Sequence, residues 1–221
     1  MTPDQHVAEL ASATATMRTA GALLIAGAAI MFIGASVPFI TSLGGDAWYG
    51  SPAEVLAAIA KNPTAWRWAN ALIAVAAVVT AIGLAGTVLW SPPSRFFATA
   101  GLVAFGVGAA LDVVARVLDM RVGPLAAVRN PDSPLASTYE SFHQLSEGLI
   151  QAFILIAFIA LALLGIAALQ HEATWLGAVL IVLGAGGLVL EVVGAAIPAL
   201  VYIGTATLGV WMLFGPASRS L

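Results

Sequence analysis

The sequence predicts an all-α fold, a polytopic transmembrane helical bundle of six spans in one domain, with a short interfacial helix in the first long loop. Three observations predict it. Hydrophobic residues make up 61% of the 221 and charged residues only 9%, whereas a soluble domain carries roughly 25% charged residues. The apolar residues gather into windows long enough to cross a bilayer, the clearest being 148–169, which holds no charge at all. Short polar connections at 91–95 (Pro92-Pro93, Arg95) and 170–173 separate these windows and leave room only for tight reversals.

Composition also removes several classes of function. Net charge is −3 and the eight basic residues are scattered singly, so there is no basic patch for nucleic acid. Cysteine is absent, which excludes disulfides, thiolate metal sites and thiol catalysis. The first seventeen residues contain Asp4 and Glu9 and no basic cluster, unlike a signal peptide, so the first span is expected to be retained.

Taken in order, the first span is expected at about 20–40, with Gly27 and Gly34 one heptad apart as a flat strip for helix contact and Pro38 in its last turn. The polar connection 41–65 follows. Within it Ser51-Pro52-Ala53-Glu54 has the form of a helix start, a capping Ser with Pro at the first position and Glu at the third. Val55, Leu56 and Ile59 supply an apolar face to that helix, and Trp48, Tyr49, Trp66 and Trp68 flank it as an aromatic belt. The second and third spans are expected at 67–90 and 96–119, followed by a loop holding Arg121, Arg129 and Asp132. The fourth is expected at 140–169. The long apolar stretch from Thr174 to Phe214, whose one charge is Glu191, is divided near 194–198 into spans at 174–193 and 197–214.

With six spans, odd helices end and even helices begin on one face, and this places most of the charges together. Arg67 and Asn70 begin the second span, Asp112, Arg116 and Asp119 end the third, Glu140, His143 and Glu147 begin the fourth, and Glu191 ends the fifth. On a helix, Glu140, His143, Glu147 and Gln151 share a stripe. Charges inside a bilayer are costly and face one another or water. A polar cavity or ion-pair network is therefore expected, lined by Asp112, Arg116, Glu140, His143, Glu147, Glu191 and Arg67. The pairings that suggest themselves are Arg116 with Glu147 or Glu140, and Arg67 with Asp112 or Glu191.

Several uses of such a network stay open. It could simply orient helices. As a site, it suits a non-enzymatic binding or sensing protein for a small or lipidic amphiphile, with the polar head among the charges and the tail between Gly-rich helices. The carboxylate excess also suits a proton- or cation-coupled transporter, with His143 able to titrate near neutral pH. A metal-dependent hydrolase would use His143 and Glu147, four apart on a helix, completed by Asp112, Asp119 or Glu191. No cofactor is expected, and the expected partners are membrane lipids. The expected location is a bacterial plasma membrane, with both termini cytoplasmic because their face has the tight turns. The basic residues of the loops tie, Arg18, Arg95 and Arg219 against Lys61, Arg121 and Arg129, and Arg67 and Arg116 at the edge of the second face lean the other way.

A Gly/Ala-rich first span, a loop helix leading into Trp66-Arg67-Trp68, a polar head on the fourth span, and Trp175-Leu176-Gly177 followed by Gly184, Pro198 and Tyr202 together form a pattern. In it the chain resembles a bacterial family of six-span membrane proteins. That resemblance implies the architecture and supplies no activity and no site residue.

Overall fold

A computed structural model describes residues 3–89, 92–127, 134–195 and 197–215. The described residues are helical almost throughout and include no strand. The helices are α1 (Pro3–Ile40), α2 (Asp46–Tyr49), α3 (Pro52–Lys61), α4 (Pro63–Ala85, continued by a 3₁₀ turn Gly86–Leu89), α5 (Pro92–Ala127), α6 (Pro134–Gln170), α7 (Thr174–Val192) and α8 (Ala199–Phe214). Five are long and apolar enough to cross a membrane, over Ala11–Ile40, Pro63–Val88, Ser94–Leu125, Thr138–Gln170 and Thr174–Val192. At 1.5 Å per residue the sixteen residues of α8 reach about 24 Å, short of the ~30 Å hydrocarbon core.

Three helices overrun the expected spans into polar sequence. Helix α1 starts at Pro3, α5 continues to Ala127 with Pro124 inside it, and α6 begins at Pro134. Arg121 is therefore helical and exposed instead of lying in a loop, while Arg129, Asp132, Trp90 and Arg219 fall outside the described residues. Helix α4 begins at Pro63 because Asn62 caps it, its Oδ1 accepting the Ala65 N–H at 3.0 Å with Pro63 in the first position. Between Val192 and Ala199 the helix is interrupted, with Gly194 at φ +73°, a left-handed conformation that glycine adopts without strain.

The chain forms two compact units. One comprises residues 1–28, 78–108 and 154–221. Its interior holds Leu24, Leu84, Phe105, Phe158, Leu161, Leu164, Leu176 and Tyr202. Without a hydrophobic force between helices in lipid, close packing must hold them, and small residues permit it. A Cβ built on Gly21 of α1 would lie 2.7 Å from the carbonyl oxygen of Gly209 of α8, and the reverse distance is the same. Gly165 and Gly177 bring α6 and α7 together in a similar way. In the α6–α7 turn, His171 lies edge-on to Trp211 with ring centroids 5.8 Å apart, and burial lowers its pKa so that the neutral ring is favoured.

The other unit comprises residues 29–77 and 109–153. Gly34 of α1 makes the close contact expected of it, against Ala69, Leu72 and Ile73 of α4. The helix α3 forms where the capping sequence stands, and its buried face is Val55, Ala58 and Ile59, with Leu56 at the margin. These join Leu43, Ala47, Ala65 and Trp66 in one core. Trp66 is only 3% exposed and so is a core residue, whereas Tyr49 and Trp68 remain outside at 83% and 63%, as a belt requires.

At the start of α3, the Ser51 backbone N–H and hydroxyl both donate to Glu54 Oε2, at 2.7 and 2.8 Å. These bonds hold the Glu54 carboxyl below its usual 4.5. The brace is complete at neutral pH and is lost as pH falls through that lowered value. We expect hydrogen-exchange protection at the start of α3, corrected for intrinsic rates, to decline over that acid range. Glu54→Gln should show reduced protection at neutral pH and no further acid loss. The α1–α8 contact makes a second prediction. Gly209→Val should lower stability in detergent by about 1–3 kcal/mol, the usual cost of overpacking, and an unchanged melting temperature would contradict that close approach.

Candidate functional site

The polar residues of the second unit assemble around Arg116. Asp112 and Arg116 stand one turn apart on α5, and the Arg116 Nε donates to Asp112 Oδ1 at 3.2 Å. The Asp112 side chain is wholly buried and that of Arg116 is 11% exposed. A second guanidinium nitrogen donates to Asn70 Oδ1 on α4 at 3.3 Å. Asn70 is itself fixed, since its amide donates to the Trp66 carbonyl at 3.1 Å. Trp48 of α2 lies under the guanidinium, its ring centroid 5.8 Å from Cζ, within the range of a cation–π contact.

Indole groups lock this arrangement to the backbone. Trp48 donates to the Ala35 carbonyl of α1 at 3.0 Å, and Trp66 donates to the Asp119 carbonyl of α5 at 2.9 Å. The two rings meet at a centroid distance of 5.4 Å. Gly123 makes room for this contact, because a Cβ there would meet Ile59 at 2.9 Å and the Trp66 indole nitrogen at 3.2 Å. From α6, Ser146 donates to the Ala115 carbonyl at 3.2 Å. Helices α2, α3, α4 and α6 therefore meet α5 between Asp112 and Gly123, and Trp48 ties α1 to the same group.

Asp119 lies one turn beyond Arg116 and is 8% exposed. Its carboxylate is within electrostatic reach of Arg116, His143 and Asp112, and within hydrogen-bonding reach of Ser146. Tyr139 of α6 is 3% exposed and stacks on His143, with rings 5.5 Å apart and 14° from parallel. Its hydroxyl interacts electrostatically with Asp119. Two buried polar atoms of this cluster have no hydrogen-bond partner among the described residues, Asp112 Oδ2 and the Tyr139 hydroxyl.

The expected site residues divide accordingly. Asp112 and Arg116 are at the centre. His143 is at the edge, 13% exposed and 3.3 Å from Glu147, whose side chain is 58% exposed. Glu140 and Arg67 are exposed, and Glu191 is half-buried near the end of α7, in the other unit. Arg116 pairs with Asp112 in place of Glu140 or Glu147. The reason is geometric, because Asp112 shares its helix face at a spacing of four whereas the two glutamates point outward. The inward stripe of α6 is displaced by one position from the expected one. Tyr139, Ser146 and Phe153 are buried beside His143, while Glu140, Glu147 and Gln151 are exposed. Tyr139, Ser146 and Trp48 were not read as site residues, although the 139–143–146 spacing of four and three was visible in the sequence.

No group of three or more metal-ligating side chains gathers among the described residues, so the donor set that the hydrolase reading needs does not assemble there. The five helices long and apolar enough to cross a membrane make the chain consistent with a helical integral membrane protein. No family model, no curated protein and no solved structure matches the chain, so the six-span family resemblance drawn from its motifs gains no matching relative.

The Asp112–Arg116 pair supports a stability prediction. Removing one partner of a buried pair leaves an uncompensated charge and costs about 3–5 kcal/mol, whereas replacing both by apolar residues of similar size is often neutral. Arg116→Met should therefore destabilise the protein strongly in thermal denaturation, and the double variant Asp112→Leu/Arg116→Met should recover most of the loss. Equal melting temperatures for wild type and Arg116→Met would show that the pair contributes nothing.

Proposed function

We propose that this chain is a six-span protein of a bacterial plasma membrane, both termini cytoplasmic, that binds the polar end of a small or lipidic amphiphile without catalysing a reaction on it. The observation that carries this reading is the wholly buried Asp112, with one oxygen held by Arg116 and the other unpartnered. Leaving a buried acceptor unsatisfied costs about 1–3 kcal/mol, and more when it is charged. A ligand donor would recover that energy. The ligand's tail would lie along the apolar helices that carry the cluster, the usual arrangement of a few polar groups in an apolar surround. In this reading α8 is the sixth span, its short length accommodated by local thinning of the bilayer.

The buried carboxylates also suit proton- or cation-coupled transport. That alternative needs a series of buried titratable groups, and among the described residues the buried polar side chains of the other unit are Thr80, Thr87, Ser94, Thr205 and Tyr202. None of these titrates in the physiological range, which favours binding over transport.

Mass spectrometry of the protein released from mild detergent tests the reading. A near-stoichiometric retained amphiphile is expected, falling at least about fivefold in Asp112→Leu/Arg116→Met, about 1 kcal/mol of binding energy. Its absence from the wild type across several detergents, or equal retention by the double variant, would overturn the proposal.

A further inference from the structure

The amphiphile reading leaves the chemistry of the head group open, and the cluster itself narrows it. Two carboxylates, Asp112 and Asp119, are buried with a single guanidinium, Arg116. With both carboxylates ionised, the buried group is one positive charge short of neutrality among the described residues, a state that low-dielectric surroundings strongly oppose. The two exposed acidic side chains nearest it on α6, Glu140 and Glu147, add negative potential at its edge. His143 can supply a positive charge only when protonated, and its Nε2 already faces Glu147 at 3.3 Å.

The hydrogen-bonding deficit has a definite form. Asp112 Oδ2 is an unpartnered acceptor. Asp119 lies within reach of Ser146, but the single Ser146 hydroxyl proton goes to the Ala115 carbonyl, and an ionised carboxylate has about four acceptor positions. The Tyr139 hydroxyl, buried and unpartnered, can accept as well as donate, and it belongs to the same group through Asp119. The cluster therefore combines one missing positive charge with two unpartnered buried oxygens, Asp112 Oδ2 and the Tyr139 hydroxyl. Of the common head groups, a primary ammonium matches this best, as it carries one charge and three N–H donors and has no acceptor to satisfy. A carboxylate or phosphate head would add charge of the wrong sign. A quaternary ammonium has the right charge and no donors. An inorganic monovalent cation shares the charge and would gain nothing from an apolar tail.

We propose that the ligand of the Asp112–Asp119–Tyr139 cluster is a primary ammonium group carried on an aliphatic chain. This rests on the amphiphile reading above and goes further by fixing the head group's charge and its donors.

The test is binding to the full-length protein in nonionic detergent at neutral pH, by calorimetry or thermal shift. The probes are decylamine, decyltrimethylammonium, decanol, decanoate, and sodium or potassium chloride. Decylamine should bind at least about tenfold more tightly than decanol or decyltrimethylammonium, with decanoate and the simple salts weaker still. Asp112→Asn should reduce the decylamine preference over decanol to near unity. Should that variant fail to fold, Tyr139→Phe removes one acceptor without altering charge and should weaken decylamine about fivefold while leaving decanol unchanged. Equal binding of decylamine and decanol would mean that a proton supplies the missing charge, and would overturn the ammonium assignment. So would a preference for decanoate, or stabilisation by the salts alone. In the first two cases the amphiphile reading survives if binding still depends on Asp112. If none of the decyl compounds binds, the amphiphile reading fails together with this one.

Discussion

The structure of the second unit depends on keeping the charge of Asp112 out of lipid and water alike. A bare carboxylate at that depth would cost several kcal/mol. The remedy begins within one helix, where Arg116 stands at the spacing of four that lets two side chains meet. What makes the unit more than a single helix is that Arg116 needs further partners. Asn70 takes one nitrogen, Trp48 takes the face of the guanidinium, and each of these is anchored to the backbone of α4 or α1 by a bond of its own. In this way a local ion pair recruits helices distant in sequence. The short helices of the first loop contribute to the polar centre as well as to the surface.

The two units solve the same packing problem with different materials. In one, backbones come close at glycine and alanine positions, and large side chains such as Phe105, Phe158 and Tyr202 fill the remaining space. In the other, Gly34 also brings α1 close to α4, but tryptophan and polar side chains add the further joints, with Gly123 leaving room for the Trp66 ring. Both strategies follow from the absence of water, because in lipid neither apolar surface nor a lone polar group can be left to the solvent.

Most of the helical fold was legible in the sequence, and the reasons are local. The apolar windows announce themselves by length, and the α3 start was readable because Ser51, Pro52 and Glu54 act within four residues of one another. Helix ends in polar sequence were not legible. Nothing at Asp119 or before Ala20 stops a helix, and the chain continues as α5 and α1 beyond the apolar windows. The site was half legible. Asp112 and Arg116 were read as members of the network but each was given another partner, although their spacing of four stood in the sequence, and the charged residues of α6 drew attention to the exposed stripe. Charge marks the face that seeks water as readily as the face that seeks a partner. The inward positions of α6 are carried by Tyr139 and Ser146, whose polarity is modest and whose partners, Ala115 and Asp119, belong to another helix. Only knowledge of that neighbour assigns the stripe. Glu191 lay beyond reach for a related reason, since its place at a helix end says nothing about which unit it serves.

The contact between Gly21 and Gly209 carries a consequence for biosynthesis. These glycines come from the first and the last of the described helices, so the joint between them cannot close until α8 has left the ribosome. Until then the glycine face of α1 must be covered by lipid, by the insertion machinery or by an earlier helix that later yields its place. The order in which segments emerge thus differs from the order in which this unit becomes complete, and its shortest apolar helix is the one that finishes it.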